Sequence, residues 1–510
     1  MIGEKTGKRE VWKGRIIFVV FVLSFSLFAL PVHSSETIDY QTVESQTYRL
    51  FLEQKWDSVI VIGKQALQEN LDYFYLRLRI GISYYELQKY IQAIEHLRKA
   101  REFNSMDPVA IEYLYQSYVH SGRDGDANAL IPGMSSTTKE KLQIDPDLLE
   151  QVHFESGYTI SSDRDPENLA TLMGSDSIYG EEDLYGNNLY SNLGLKLRLS
   201  HRVGLSMAYN YLNFNKTKYI QYGRSEAILD SIINKPFSKD YFYSYPWKIY
   251  DTSFKYQVKQ HEGYLNASVI IPWGIKIIPA IHFLHVSYTA VNPSYRVDSI
   301  SDTAYYFRPD STYHMFRYPS VVYSFTENDT SFNNWVVSLG LSRDFGIFNI
   351  GVNGSWSNLN GKNQEQVGAS LTYYPMGTIN YYGTTSATGF FQGKDKRLLL
   401  SQVIGAKITP WMWAEGNFYY GDYTNANIFN GSVVYNNSDL IDYRAGANLL
   451  FLVGKHIRLS LIYQYFRKES QQLYYIKTVN PVTKEINEIQ QTKYNPYNTN
   501  TIIGGITWKF

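Results

Sequence analysis

The 510-residue chain has no cysteine. That excludes a disulfide framework and a thiolate metal site. It also excludes lipid attachment through an N-terminal cysteine. Charge of one sign is missing as well, since Lys+Arg and Asp+Glu both number 48. A balance this even gives no reason to expect nucleic acid as a partner. Long apolar runs are scarce. Beyond the first 35 residues none approaches the ~20 residues of a membrane-crossing helix. With a mean hydropathy of −0.31, the chain is not a helical membrane protein. Catalytic motifs are missing too: no nucleotide loop, no His-Glu-x-x-His, no Gly-x-Ser-x-Gly and no metal cluster. His282 and His285 look like a pair of ligands, but odd spacing in a strand sends them to opposite faces. No enzyme activity and no cofactor is expected.

What is present begins with a secretory pattern. Lys5, Lys8, Arg9, Lys13 and Arg15 precede the uncharged run Ile16 to Leu30, and Ser34 and Ser35 offer a cleavage site. Residues 1–35 are therefore expected to be a signal peptide; the alternative is an uncleaved inner-membrane anchor. Removing residues 1–34 leaves 43 basic and 46 acidic residues.

Tyrosine is abundant, with 46 Tyr against 26 Phe and 9 Trp. Amphipathic rings of this kind suit the girdles of a transmembrane β-barrel. The last ten residues, TIIGGITWKF, fit the same reading. Ile502, Gly504, Ile506, Trp508 and Phe510 share one face, while Thr501, Gly505, Thr507 and Lys509 take the other, with Ile503 as the exception. This stretch resembles the closing strand of bacterial outer-membrane proteins. The resemblance implies that Trp508 and Phe510 contribute to recognition by the outer-membrane assembly machinery.

Residues 36–145 differ from all that follows. Their apolar spacing is helical, and the stretch repeats at 34 residues: Ala66 and Ala100, Tyr84 and Tyr118, Ala93 and Ala127. In the central copy Gly81, Tyr84, Ala93, Leu97 and Ala100 resemble a tetratricopeptide (TPR) repeat, with Tyr118 and Ala127 as the next-copy equivalents. The resemblance implies a TPR-like α-solenoid of about three repeats that docks a periplasmic protein. The plainer alternative is a spacer or plug against the rest of the chain. Asp145-Pro146-Asp147 reads as the linker.

From 149 to 510 the period becomes two. Aligned apolar rows include Leu193, Leu195, Leu197 and Leu199; Val203, Leu205, Met207, Tyr209 and Tyr211; and Ile278, Ala280, Leu284, Val286 and Tyr288. Further rows are Trp335, Val337, Leu339 and Leu341; Phe348, Ile350, Val352 and Trp356; Val367, Ala369, Leu371 and Tyr373; Ile441, Tyr443, Ala445, Ala447, Leu449 and Phe451; and Ile457, Leu459, Leu461, Tyr463 and Tyr465. Tight turns are expected at 201–204, 272–274, 343–346, 375–377, 409–411 and 453–456. Longer polar connections are expected near 163–187, 216–248, 291–331, 357–364, 392–396, 422–438 and 469–496. Short turns on one side and long loops on the other predict a transmembrane antiparallel β-barrel of about 14 strands. The expected fold class is α + β multidomain.

Strand parity sets Lys196, Arg198, Arg397, Lys407, Arg444 and Arg458 on the inward face, with Glu415 and Asp442 as acidic company. They would line a polar conduit favouring anions, or else pair with one another and with loops to fill the lumen. The aromatics Tyr219, Tyr222, Tyr241, Tyr243, Tyr245 and Trp247, and Tyr295, Tyr305, Tyr306, Tyr313 and Tyr318, would stack on sugars or pack their own hairpins.

The order of helical repeats and barrel resembles exopolysaccharide export porins. That implies an outer-membrane conduit, surrounded by outer-membrane lipid, which passes polar solutes or polysaccharide while its repeats recruit periplasmic partners. The alternative is a non-conducting anchor of an envelope or secretion complex.

Overall fold

The computed structural model describes residues 39–144, 148–162, 177–225, 228–235, 238–244, 247–302, 316–479 and 486–510. The expected signal segment and the linker at 145–147 lie outside the described residues.

Seven α-helices come first: α1 (Tyr40–Leu52), α2 (Trp56–Gln68), α3 (Phe74–Glu86), α4 (Tyr90–Phe103), α5 (Pro108–His120), α6 (Asp124–Leu130) and α7 (Ser136–Lys141). The 34-residue period reappears in their boundaries. Tyr40, Phe74 and Pro108 start the first helices of three pairs, and Trp56, Tyr90 and Asp124 start the second. Three left-handed residues at the same spacing, Gln54, Gln88 and Gly122, end the first helices. Such a residue turns the chain so that the orphan carbonyls of the last turn are satisfied. Close helix approach rests on small residues. A Cβ on Gly81 would lie 2.6 Å from the Leu97 side chain. Ala93, Leu97 and Ala100 are fully buried, and Tyr84, Tyr118 and Ala127 join the same core.

The barrel strands are β1 (Leu149–Ser161), β2 (Ser177–Ser200), β3 (Val203–Ser225), β6 (Trp247–Ile271), β7 (Ile275–Asp302), β8 (Phe316–Phe345), β9 (Phe348–Ser357), β10 (Gln364–Tyr373), β11 (Tyr381–Gln392), β12 (Asp395–Thr409), β13 (Met412–Tyr420), β16 (Leu440–Val453), β17 (Ile457–Val479) and β18 (Ile486–Lys509). Two small hairpins are not part of the wall: β4 (Ile228–Lys235) with β5 (Ser238–Ser244), and β14 (Asn427–Ile428) with β15 (Val433–Val434). The 14 wall strands form one closed antiparallel barrel. Closure comes from β1, which pairs with β2 on one side and with β18 on the other.

The outward face is apolar where strand alternation predicts it. Val337, Leu339, Ile350, Val352, Trp356, Val367, Leu371, Leu459, Leu461, Ile502, Ile506, Trp508 and Phe510 are all exposed. Ile503 turns inward and is buried, next to a Gly157 that has no side chain to obstruct it. The ten residues of β9, at a tilt of about 40°, rise about 25 Å, the height of a bilayer's apolar band.

Three expectations need correction. In β7 the row Ala280, Leu284 and Val286 turns into the lumen and is buried, while Ile281 and Phe283 face out. Both faces of this strand are apolar, so alternation alone could not choose between them. In β16 the register skips Asp442 (Ile441 pairs with Lys468, Tyr443 with Arg467), so Asp442 sits in a bulge and Ile441 turns inward. Finally, much of the sequence expected as long loops is strand. β3 and β6 stay paired to Ser225 and Trp247, β7 and β8 to Asp302 and Phe316, and β17 and β18 to Val479 and Ile486. These polar hairpin extensions carry no one-sided apolar row. The connection near 392–396 is a tight turn at Gly393.

Candidate functional site

The connection from β13 to β16, expected as an external loop, folds into the lumen. Tyr423, Thr424, Asn425, Ala426 and Asn427 are buried. The segment runs along the inside of half the wall, from β12 to β6. On β12, Arg397 donates to the Asp422 carboxylate (2.5 Å) and the Thr424 carbonyl (3.1 Å), and its guanidinium lies 3.9 Å from the Phe390 ring centre. On β10, Gln366 donates to the Asn427 carbonyl (2.8 Å) and accepts from the Asn427 amide (2.9 Å). On β9, Ser355 accepts from Asn427 (2.9 Å). On β8, Ser338 donates to the Asn430 carbonyl (2.6 Å). On β7, His282 Nδ1 meets the Gly431 carbonyl at 2.7 Å; a carbonyl only accepts, so the proton is on Nδ1. On β6, Tyr264 donates to the Asn430 carbonyl (3.3 Å). The segment returns past Arg444, which donates to the Tyr435 hydroxyl (2.5 Å) and covers the Tyr419 ring. A small apolar cluster of Phe390, Leu399, Tyr419, Tyr423, Ala426 and Ile441 seals its start.

The other half of the wall, from β17 through β18, β1 and β2, carries cations near its short-turn end. Lys196 bonds Glu150 at 2.6 Å, and Arg198 reaches the same carboxylate at 3.8 Å. By strand parity Arg458 and Lys509 also face inward here. Lys276 on β7 and Lys407 on β12 face the same mouth from the other half. Lys276, Lys407, Arg458 and Lys509 have no ion-pair partner among the described residues. Asp124, Asp344 and Glu150 are the acidic charges within electrostatic reach of Lys276.

The helical domain covers this mouth. Arg123 donates to the Gly346 carbonyl at the β8–β9 turn. Three glycines let the surfaces meet: a Cβ would lie 2.5 Å from Ile379 at Gly122, 2.7 Å from Ile91 at Gly377, and 2.8 Å from the Asp126 carboxylate at Gly274. Burial in this seam holds the Asp126 carboxyl above its usual range against the pull of Arg123. His120 is pushed down by burial and by the charge of Lys407.

At the far end the long hairpins lean together. Tyr179 of β2 stacks against Tyr323 of β8 at 5.9 Å and meets Tyr475 of β17 at 5.8 Å; Tyr222 of β3 meets Tyr323 at 4.7 Å. Buried Glu182 accepts from Asn495 (3.1 Å) and from Ser470, and β17 pairs with β2 directly at this level.

The residues that strand parity set inward thus fall into separate environments. Arg397 and Arg444 hold the internal segment. Lys196, Arg198, Lys407 and Arg458 ring the covered mouth. Glu415 accepts from Asn448 (3.0 Å) and from Tyr382 on the inner wall. His282 is fully buried, whereas His285 bonds Asn333 (2.8 Å) on the outer face, so the two cannot share a metal. Among the described residues no group of acidic or His side chains could hold a metal ion. Of the loop aromatics, Tyr219 and Tyr222 are described, whereas Tyr245, Tyr305, Tyr306 and Tyr313 lie outside the described residues. Sequence reasoning placed Lys509 on the polar face of the closing strand without naming it a lumen cation, and it missed Lys276 and the whole internal segment. Its signal was present in the Asn-rich run Asn425 to Asn437, whose amides are suited to bond a polar wall.

No family model matches the chain, and no curated protein matches it. Solved structures similar to it include a FadL homologue of Pseudomonas aeruginosa, at 9% identity and a TM-score of 0.38 over 72% of this chain and 91% of that one. The P. putida toluene transporter TodX is similar at 8% identity and a TM-score of 0.35, over 72% and 92%. The Acinetobacter baumannii outer membrane protein Omp33 is similar at 9% identity and a TM-score of 0.30, over 71% and 100%. Identities this low speak to fold alone, and the scores add nothing to what the closed strand order already establishes.

Proposed function

We propose that the protein is an outer-membrane conduit for anionic polar solutes, closed at rest. The apolar outward belt and terminal aromatic strand support membrane insertion. One observation carries the conduit reading. The internal segment follows only the β12-to-β6 half of the wall, and opposite it stands the cation-bearing half with Lys196, Arg198, Arg458 and Lys509. A passage between the two would have a positive side and an amide-rich side, and a low-dielectric wall focuses such a field on anions. An anionic saccharide chain falls within this substrate class.

The helical domain acts as the cap of this passage, on the periplasmic side. It keeps its own core and meets the barrel through a few polar and side-chain-to-glycine contacts, so it can leave without unfolding. Its 34-residue helix pairs support the TPR reading, in which a periplasmic partner lifts the cap. The second reading, a filled barrel serving as an anchor, draws on the internal segment and the joined far hairpins.

Planar-bilayer recordings separate the two. The refolded chain should show little current, and the chain without residues 39–144 should show a steady, anion-preferring one. Absence of current from both, and from a chain with 423–436 replaced by a short turn, would leave the anchor reading.

A further inference from the structure

The barrel wall is split between β6 and β7. The β6–β7 ladder stops at Lys259 and Ser287. Both strands continue past that point, but with other partners: β6 stays with β3 up to Trp247, and β7 stays with β8 up to Asp302. The β7–β8 hairpin bends beneath β6, as the contacts of Phe254 with Phe325 (5.3 Å) and Tyr222 with Tyr323 (4.7 Å) require. A cleft of about 630 Å³ opens in the fork. Along it, the β7-side edge of β6 from Phe254 to Val258 has no strand partner.

The lining has two signs. Lys255 and Lys259 stand on one rim, Glu327 and Asp329 on the other, and Tyr256 and Tyr288 close the inner side with ring centres 6.0 Å apart. Both lysines are exposed, and neither has a partner among the described residues. Asp329 accepts from Thr289 at 3.0 Å and keeps its second oxygen for another donor.

The cleft's height matters as much as its chemistry. On the outer face of β7 the apolar row ends at Phe283, and His285, bonded to Asn333, follows it. On β6, His261 bonds Tyr209 of β3 at the same level (2.6 Å). Ser287 and Lys259 are each one outward position further, about 7 Å along the strand. The fork therefore begins just above the apolar belt, in the headgroup layer, and opens sideways into it.

We propose that this fork binds the phosphorylated sugar headgroup of an outer-leaflet glycolipid. Phosphate oxygens would face Lys255 and Lys259. Sugar hydroxyls and amines would face Glu327 and Asp329, and the unpaired β6 edge supplies backbone N–H groups to either. The separated charges fit a ligand that carries an anion on one side and donors on the other, which a plain apolar chain does not.

The site rests on the outer-membrane reading alone and not on conduction. It is tested with the full chain folded in detergent, where β-sheet circular dichroism and heat-resistant mobility report the barrel separately. The probe is a diphosphorylated diglucosamine lipid, followed by mass spectrometry through detergent exchange. The folded barrel should retain it, and K255Q/K259Q should lower its affinity roughly 30-fold, given about 1 kcal/mol per lysine at a charged surface. The control K362Q should not. The delipidated phosphorylated disaccharide distinguishes the sources: equal, lysine-dependent binding assigns recognition to a free saccharide, and weaker binding assigns it to the membrane lipid. Retention unchanged in K255Q/K259Q would overturn the proposal. So would a photocrosslinker at Gln257 that recovers an extended polypeptide in place of lipid.

Discussion

His282 of the wall holds Gly431 of the internal segment, imidazole Nδ1 to carbonyl oxygen, at 2.7 Å. On its other side Nε2 stands 3.2 Å from the carboxylate of Glu262, which accepts from Asn210 (2.7 Å) and Gln260 (2.5 Å). The wall thus spends a fully buried polar group on keeping the segment in place. His282→Leu preserves volume but removes the clasp. The expected result is a barrel that still folds, with more frequent open events in bilayer recordings and faster proteolysis between 423 and 436. Unchanged recordings and unchanged cleavage would mean the clasp is redundant with Ser338 and Gln366.

Arg397 and Arg458 both face inward, yet they should fail differently. Arg397→Ala leaves Asp422 without its guanidinium partner, and breaking a largely buried pair costs about 3 kcal/mol. That is on the order of a hundredfold in the equilibrium that keeps the segment seated. Arg458→Ala touches nothing in the segment. It should leave gating alone and reduce the reversal potential measured in a salt gradient. Identical phenotypes for the two would show that the inner cations act as one network.

The difference between these arginines marks how far the sequence could be read. Alternation assigned Arg397, Arg444, Lys196 and Arg458 to the inner face because each has apolar neighbours on the outward row, such as Leu195, Leu398 and Leu459. Alternation says nothing about what meets them there. The partner of Gln366 is Asn427, 61 residues away, and such pairs depend on which way a loop turns. Lys276 was lost because its strand is apolar on both faces. The closing strand was legible because lipid on one side and water on the other impose opposite chemistry on neighbouring residues. The helix pairs were legible because small residues recur where helices touch, 34 residues apart. The long polar hairpins were not, since a strand wet on both faces has no alternation to show.

The cap can be tested without touching the inner wall. Gly377 and Gly122 have φ of +65° and +76°, and a side chain on either would enter the space of Ile91 or Ile379. Both positions thus disfavour other residues twice over, by conformation and by contact. Gly377→Val should lift the helical domain from the mouth. The helical circular dichroism signal should persist while current and protease access to the α6 segment rise. A loss of helical signal instead would mean that the domain cannot stand apart from the barrel.

The helical domain also carries its own pH dependence. His96 is buried between helices, lies against the Tyr84 ring at 5.5 Å and accepts at Nδ1 from Arg77 (3.1 Å). Burial first, and then the charges of Arg77 and Lys64, push its pKa down to about 4. Between that value and the ordinary value of about 6.5 the unfolded chain binds a proton that the folded domain does not. Stability therefore rises with pH across this window. It is complete above about 6.5 and falls by about 3 kcal/mol as the pH drops to the folded value. Thermal melts followed at the helical band should show the midpoint falling between pH 6.5 and 4 in the native chain. In His96→Gln that slope should flatten while the β-sheet transition stays where it was. A slope between pH 6.5 and 4 that is unchanged in His96→Gln would remove His96 as its source. The Glu44–Arg79 pair, whose carboxyl is held low by the guanidinium 2.6 Å away, loses its contribution only in the carboxylate range, below the histidine window, so the pH at which the melt shifts identifies which group is responsible.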